Sequence, residues 1–226
     1  MFDYVLLQFQ RLRSERRYRL AKNRLYRQRD YWQWLAEGKP AAVPHIVKQM
    51  AVKEHARRFD TRIFIETGTY LGEMVDAVQP LFSRVYSIEL ADRFFREARH
   101  YFRSLPHVTI VHGDSGSRLP ELLSSVNEPA LFWLDGHYSG GDTGQGKQDT
   151  PIVAELRAIL EHPVKSHVIL IDDARCFTGA AGYPALRTVF DLVQPKERGL
   201  RMEVRDDIIR IFPDIDPLET FPRPVR

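Results

Sequence analysis

A doubly wound α/β fold on a mostly parallel seven-stranded sheet is predicted by three features of this 226-residue sequence. From residue 62 onwards, short apolar runs alternate with amphipathic segments, the pattern of a parallel sheet covered by helices on both faces. Near the C-terminus the pattern changes: Leu200–Val204 and Ile208–Phe212 flank Arg205-Asp206-Asp207 and read as an antiparallel hairpin. Ahead of the sheet lies a stretch without proline or glycine, which adds N-terminal helices.

The opening segment, Met1 to about Tyr31, places Phe2, Leu6, Phe9 and Leu12 at helical spacing, and Arg11, Arg13, Arg16, Arg17 and Arg19 crowd the following turns. Gly38, Pro40 and Pro44 break the pattern. They divide the chain into a basic helical arm, residues 1–43, and a body, residues 44–226. Ile46, Val47, Met50 and Val52 predict a second, shorter helix reaching about Phe59. The body then predicts strands at Arg62–Glu66, Arg84–Glu89, Val108–His112, Ala130–Asp135 and His167–Asp172. The helices predicted to follow them are Glu73–Leu81, Asp92–Phe102, Arg118–Val126, Pro151–Glu161 and Tyr183–Val193. Four prolines from Pro213 onwards predict an extended tail.

Composition narrows the function classes. A hydrophobic fraction of 43% with 28% charged residues is that of a soluble globular protein. No apolar run is long enough to span a bilayer, and no signal-like core opens the chain. The single cysteine, Cys176, excludes an internal disulfide framework and fits a cytoplasmic location. Residues 1–39 hold ten Lys/Arg against four Asp/Glu; the whole chain carries +3, so the rest is net acidic. The pI of about 9.0 therefore belongs to the arm, and a nucleic-acid partner is not expected of the body.

Open α/β sheets bind ligands beyond the carboxyl ends of their strands. Those ends carry Glu66, Glu89, Asp114, Asp135, Asp172 and Asp173. Helix caps and turns account for single acids of this kind, but six along one rim repel one another and call for a ligand or cation. After Glu66 the loop runs Thr67-Gly68-Thr69-Tyr70-Leu71-Gly72. Its two glycines allow a close approach to a ligand and a tight entry into the next helix. It lacks the G-x-G-x-x-G spacing of dinucleotide dehydrogenases, which weakens the case for NAD. Glu89, ending the second strand, stands where a carboxylate accepts from both ribose hydroxyls. Gly113, Asp114 and Ser115 end the third strand, beside the place of an adenine ring.

Taken in order, E-x-G-x-Y-x-G, I-E-L and G-D-S with Pro120 five residues after the serine resemble class I S-adenosylmethionine-dependent methyltransferases, with their Rossmann-like fold. The similarity is greatest to small metal-dependent O-methyltransferases of the catechol type and of the macrolide- and aminocoumarin-sugar type, and covers about Arg62 to Phe212. It implies that Glu66, Gly68 and Tyr70 line the methionine part of S-adenosylmethionine, and that Thr69 and Gly72 of the same loop also belong to the cofactor site. It further implies that Glu89 holds the ribose, and that Asp114, Ser115 and Asp135 complete the cofactor site. The same resemblance makes Asp135, Asp172 and Asp173 ligands of Mg²⁺ or another divalent cation, since hard oxygen donors suit such ions. All three are Asp in the sugar-modifying branch; the catechol branch has Asn at the last. A turn at Asp135 and a cap at Asp173 are the alternative reading.

From Asp135 to Lys147 the chain is glycine-rich and departs from both branches. A lid over substrate and an unstructured loop are both compatible with that composition. His137 is a candidate general base, and Asp135 is the other catalytic candidate, as a metal ligand. The lysine base of the catechol type would fall at Tyr138, which leaves the base open between His137, Lys147 and a packing role for His137. Cys176 reads as packing rather than nucleophile.

The expectation is thus a metal-assisted O-methyltransferase for a small hydroxylated acceptor, a sugar or sugar-bearing metabolite. Its alternatives are a metal-independent methyltransferase with His137 as base, a non-catalytic cofactor-binding scaffold docked through the arm, and an oxidoreductase on the same sheet. Residues 1–34, basic and with Trp32 and Trp34 at their end, would suit peripheral contact with an anionic membrane, packing in a homodimer, or rest on their own domain.

Overall fold

The structure is a computed structural model, and it describes residues 18, 21, 25, 26, 28–136, 150–180, 182–194 and 199–214. Helix α1 covers residues 28–36, and α2 (His45–Arg58) leads to the sheet. The strands are β1 (Ile63–Thr67), β2 (Arg84–Glu89), β3 (Val108–His112), β4 (Ala130–Leu134), β5 (Val168–Ile171), β6 (Leu200–Arg205) and β7 (Ile208–Pro213). Between them run α3 (Glu73–Val78), α4 (Asp92–Tyr101), α5 (Ser115–Leu123), α6 (Ile152–Glu161) and α7 (Leu186–Val193).

The seven strands lie in the order β3-β2-β1-β4-β5-β7-β6. β1 to β5 are parallel, and β7 runs antiparallel to both β5 and β6. The expected fold is therefore the observed one. Every residue of β1, β4 and β5 is buried, because alternate side chains feed cores on opposite faces. Ile63, Ile65, Phe132, Ile169 and Ile171 join Leu119, Leu156 and Val189 on one face. Phe64, Leu131, Trp133, Val168 and Leu170 join Val52, Val75 and Phe102 on the other.

Three helices depart from the sequence reading by more than one residue. α5 starts at Ser115 rather than Arg118, since the Asp114 side chain accepts from the Ser117 amide at 3.1 Å and caps the helix early. α3 ends at Val78 and tightens into a 3₁₀ turn at Gln79–Leu81, where Pro80 interrupts the α pattern. α7 begins at Leu186, just after Pro184. The hairpin turn is Asp206-Asp207, both left-handed with φ 52° and 57°, the conformation that matches the twist of two joined strands.

The end of the arm packs on the body. Trp34, Val43 and Val47 form a small buried cluster with Tyr31 and Ile46, and Trp34 Nε1 donates to the Pro40 carbonyl at 3.0 Å. Trp32 is exposed. Of the helical segment expected from Met1 to about Tyr31, residues 1–17 lie outside the described residues, as does the tail from residue 215. No described helix is long and apolar enough to cross a membrane.

Candidate active site

The site forms at the carboxyl ends of β1, β2, β4 and β5, beside the point where the strand order reverses between β1 and β4. β1 ends at Thr67 and the chain turns through Gly68 at φ +87°, where an added Cβ would lie 2.5 Å from the Asp135 carbonyl oxygen. Only glycine lets the turn pass so close to the end of β4. The turn is tied to both neighbours: the Gly68 amide donates to Ile88 O at 3.0 Å, and the Asp135 amide to Thr67 O at 3.1 Å.

Tyr70 follows in a left-handed conformation, φ 46°, that aims its amide at Glu89 Oε2 at 2.7 Å. The Ala91 amide donates to Glu89 Oε1 at 2.8 Å. With one backbone N–H on each oxygen, this carboxylate is held in orientation while lone pairs remain for further donors. Burial raises its pKa above the ordinary carboxylate value, and the Ala91 and Tyr70 amides offset this in part. Glu66 is 2% exposed and accepts from Ser87 Oγ, which also shares a 2.6 Å hydrogen bond with Thr69 Oγ1. Burial, against the Ser87 hydrogen bond and reinforced by the charges of Asp135 and Glu89, raises the Glu66 pKa well above its ordinary value. The Tyr70 ring packs on Phe94, with centroids 4.7 Å apart.

Other predicted cofactor residues have local structural duties. Gly72 precedes α3 at φ +74°, and a Cβ there would meet the Phe102 ring at 2.8 Å, so helix packing already accounts for this glycine. Asp114 is the cap of α5, the alternative its residue type allowed. Ser115 opens α5 and is buried. These residues meet the expectation of an S-adenosylmethionine site at one feature above all: an acid whose two oxygens are fixed by backbone amides, beside a turn that a single Cβ would block.

Across the rim, Asp172 and Asp173 end β5 and Asp135 follows β4. Between them lies Lys48, from α2, which the sequence reading did not single out. Its ammonium pairs with Asp172 Oδ2 and stands 3.9 Å from Asp173 Oδ1. Asp172 Oδ1 accepts the Asp173 amide at 2.9 Å, and Asp173 Oδ1 also receives Arg175 at 2.8 Å. Burial opposes the charge on Lys48, but Asp172, Asp135 and Asp173 outweigh it and raise its pKa. Burial raises the pKa of Asp172, opposed by Lys48.

The three expected metal ligands are therefore neighbours, but they face an ammonium group instead of forming an open set of oxygen donors. Among the described residues, no group of three His, Cys, Asp or Glu could hold a metal ion. The arrangement does not fit the divalent cation implied by the resemblance, because the Lys48 ammonium already sits against Asp172 and beside Asp173 and would repel a second cation there. Lys48 had a signal in the sequence. It shares a helical stripe with Val52, His55 and Phe59, all buried, and a lysine on a buried stripe needs a carboxylate partner.

Beside Asp172 lies a small cleft lined by Gly136, Thr150, Glu155, Phe177 and Tyr183. Burial and the nearby Asp173 raise the thiol pKa of Cys176, which keeps it protonated and poorly nucleophilic. His137, Tyr138 and Lys147, the predicted lid and candidate bases, lie outside the described residues.

No protein-family model and no curated protein sequence matches this chain. Solved structures do. The O-methyltransferase from Bacillus cereus in complex with SAH is 16% identical with a TM-score of 0.56, over 82% of this chain and 89% of that one. TomG from Streptomyces achromogenes, an O-methyltransferase involved in tomaymycin synthesis and solved with SAM, is 17% identical with a TM-score of 0.54, over 75% and 80%. The SAH-bound methyltransferase PaMTH1 from Podospora anserina is 15% identical with a TM-score of 0.52, over 80% and 85%. With its strand order, its C-terminal hairpin and its rim of acids, the chain has the fold of the class I S-adenosylmethionine-dependent methyltransferases.

Proposed function

We propose that this chain is an S-adenosylmethionine-dependent methyltransferase acting on an oxygen of a small hydroxylated acceptor, such as a sugar or sugar-bearing metabolite. The observation that carries the reading is Glu89, whose two oxygens are held by the Tyr70 and Ala91 amides next to the Gly68 turn. Two of the similar structures are O-methyltransferases with the cofactor or its product bound, which supports both the ligand and the acceptor atom. The sugar class rests on the resemblance, through three aspartates at the rim.

When bound, such a cofactor supplies an electrophilic methyl group on a sulfonium. Glu89 accepts from the ribose hydroxyls, and the Gly68 turn sets the depth at which the ligand lies. Asp135, whose charge reaches both Glu66 and Lys48, receives the acceptor's hydroxyl proton as the carbon–oxygen bond forms and the carbon–sulfur bond breaks, leaving a neutral thioether. Placement of the acceptor in line accounts for much of the rate. Divalent-metal assistance draws its support from the resemblance alone; transfer without a metal is favoured by the Lys48 ion pairs and is the form adopted here.

Calorimetry with S-adenosylmethionine, S-adenosylhomocysteine and NAD tests the reading. Binding of the first two is expected. Binding of NAD alone would replace the proposal with an oxidoreductase. Asp135→Asn is expected to abolish turnover while sparing cofactor binding, and loss of both together would remove Asp135 from the role given to it.

A further inference from the structure

Lys48 reaches the rim from α2, outside the β-α units that supply the other site residues. Its side chain is 19% exposed and that of Asp172 only 1%. Charges withdrawn this far from water are retained only when paired. The pairing is specific. Asp172 divides its oxygens between the Lys48 ammonium and the Asp173 amide, and Asp173 Oδ1 lies within reach of both Lys48 and Arg175. Asp135, across the rim, adds its field to that of the pair at Lys48. A divalent ion seated among these acids would have to displace the ammonium, with strong repulsion between the two cations if both remained.

We propose that Lys48 is the resident cation of the acceptor site, its ammonium filling the place among Asp135, Asp172 and Asp173 that a divalent metal would take. This rests on the reading of the rim as a methyl-acceptor site. A lysine ammonium is a compact charge with three donor hydrogens on a flexible stem. One of them engages Asp172, Asp173 Oδ1 stands 3.9 Å away as an ion-pair partner, and a further hydrogen donates to the acceptor oxygen, orienting it towards the methyl group. The acceptor class is thereby narrowed. A metal favours two adjacent oxygens that chelate it, whereas one ammonium hydrogen needs a single hydroxyl.

The full chain, saturated with S-adenosylhomocysteine, is titrated with Mn²⁺ and followed by electron paramagnetic resonance. The wild type is expected to leave Mn²⁺ free. Lys48→Met is expected to open a single site, at least about tenfold tighter than any wild-type binding, on freed carboxylate oxygens. Adding Asp172→Asn to that variant should close the site again. Wild-type binding of one equivalent of Mn²⁺ that Asp172→Asn removes would overturn the proposal. So would a Lys48→Met variant that gains no site while still binding S-adenosylhomocysteine, which shows that it is folded. If the wild type binds no S-adenosylhomocysteine, the methyltransferase reading fails, and the Mn²⁺ titration still decides the place of Lys48 on its own.

Discussion

Gly68 shows how much one missing side chain decides. At φ +87°, with the Asp135 carbonyl 2.5 Å from where a Cβ would sit, it is constrained by conformation and by space together. Gly68→Ala should cost about 1–3 kcal/mol of stability, with a lower melting temperature, and should also weaken S-adenosylhomocysteine binding as the turn retreats from β4. Unchanged affinity in a folded variant would show that the turn does not touch the ligand. Glu89 is the complementary case, since its backbone partners survive substitution. Glu89→Gln loses the charge and one of the two acceptors, setting a side-chain NH₂ against one of the two amides, and an affinity loss of at least about tenfold by calorimetry is expected as the hydrogen bonds to the ribose weaken. Glycine and acid at these spacings were legible in the sequence because each residue type has few uses there. Asp114 was legible only as an alternative, because a cap and a ligand contact ask for the same side chain.

At the scale of elements, β4 and β5 are joined at their amino ends by a chain of histidines. The Ala130 amide donates to His167 Nδ1 at 3.1 Å; His167 Nε2 then lies 2.9 Å from His162 Nδ1, and His162 Nε2 lies 3.1 Å from Leu123 O. One assignment satisfies all three contacts: both rings neutral, each with its proton on Nε2. Protonating His167 Nδ1 would set two donors against each other. Burial, with His162 and Lys165 nearby, lowers the His167 pKa to about 4 from an ordinary 6.5. The folded state thus binds this proton less readily than the unfolded chain. Stability from this group is complete above pH 6.5 and is lost as pH falls towards 4, by roughly 2–3 kcal/mol. Thermal melts of the wild type across that window should show the loss, and His167→Gln should flatten it. An equal slope in both proteins would assign the acid sensitivity to other groups. The sequence displays both histidines but not their pairing, which depends on where the α6–β5 connection returns.

The whole molecule is tied together at Asp207, on the hairpin turn. Its carboxylate accepts the Ala42 amide at 3.1 Å and the Arg175 amide at 2.8 Å, and it pairs with the Arg175 guanidinium. One residue thereby fixes the segment before α2, the loop after Asp173 and the end of the sheet. Asp207→Asn tolerates the left-handed turn but removes the charge. A loss of about 1–2 kcal/mol is expected, read as a melting temperature lower by about 2–8 °C. No change would mean that the three segments hold their places through other contacts.

The sequence by itself determined the layered α/β order, the hairpin, the glycine turn and the acid that ends β2. Each of these is set by local preference: a short apolar run, a period of 3.6, a left-handed φ, or an acid at a strand end. Tertiary structure decided what surrounds the three aspartates at the ends of β4 and β5. Lys48 precedes Asp172 by 124 positions, and only the packing of α2 beside the sheet brings its ammonium to the carboxylates. No local pattern encodes that meeting, because it depends on the three-dimensional path of the intervening chain. The three aspartates could therefore be read from the sequence as a group, whereas the cation between them could not.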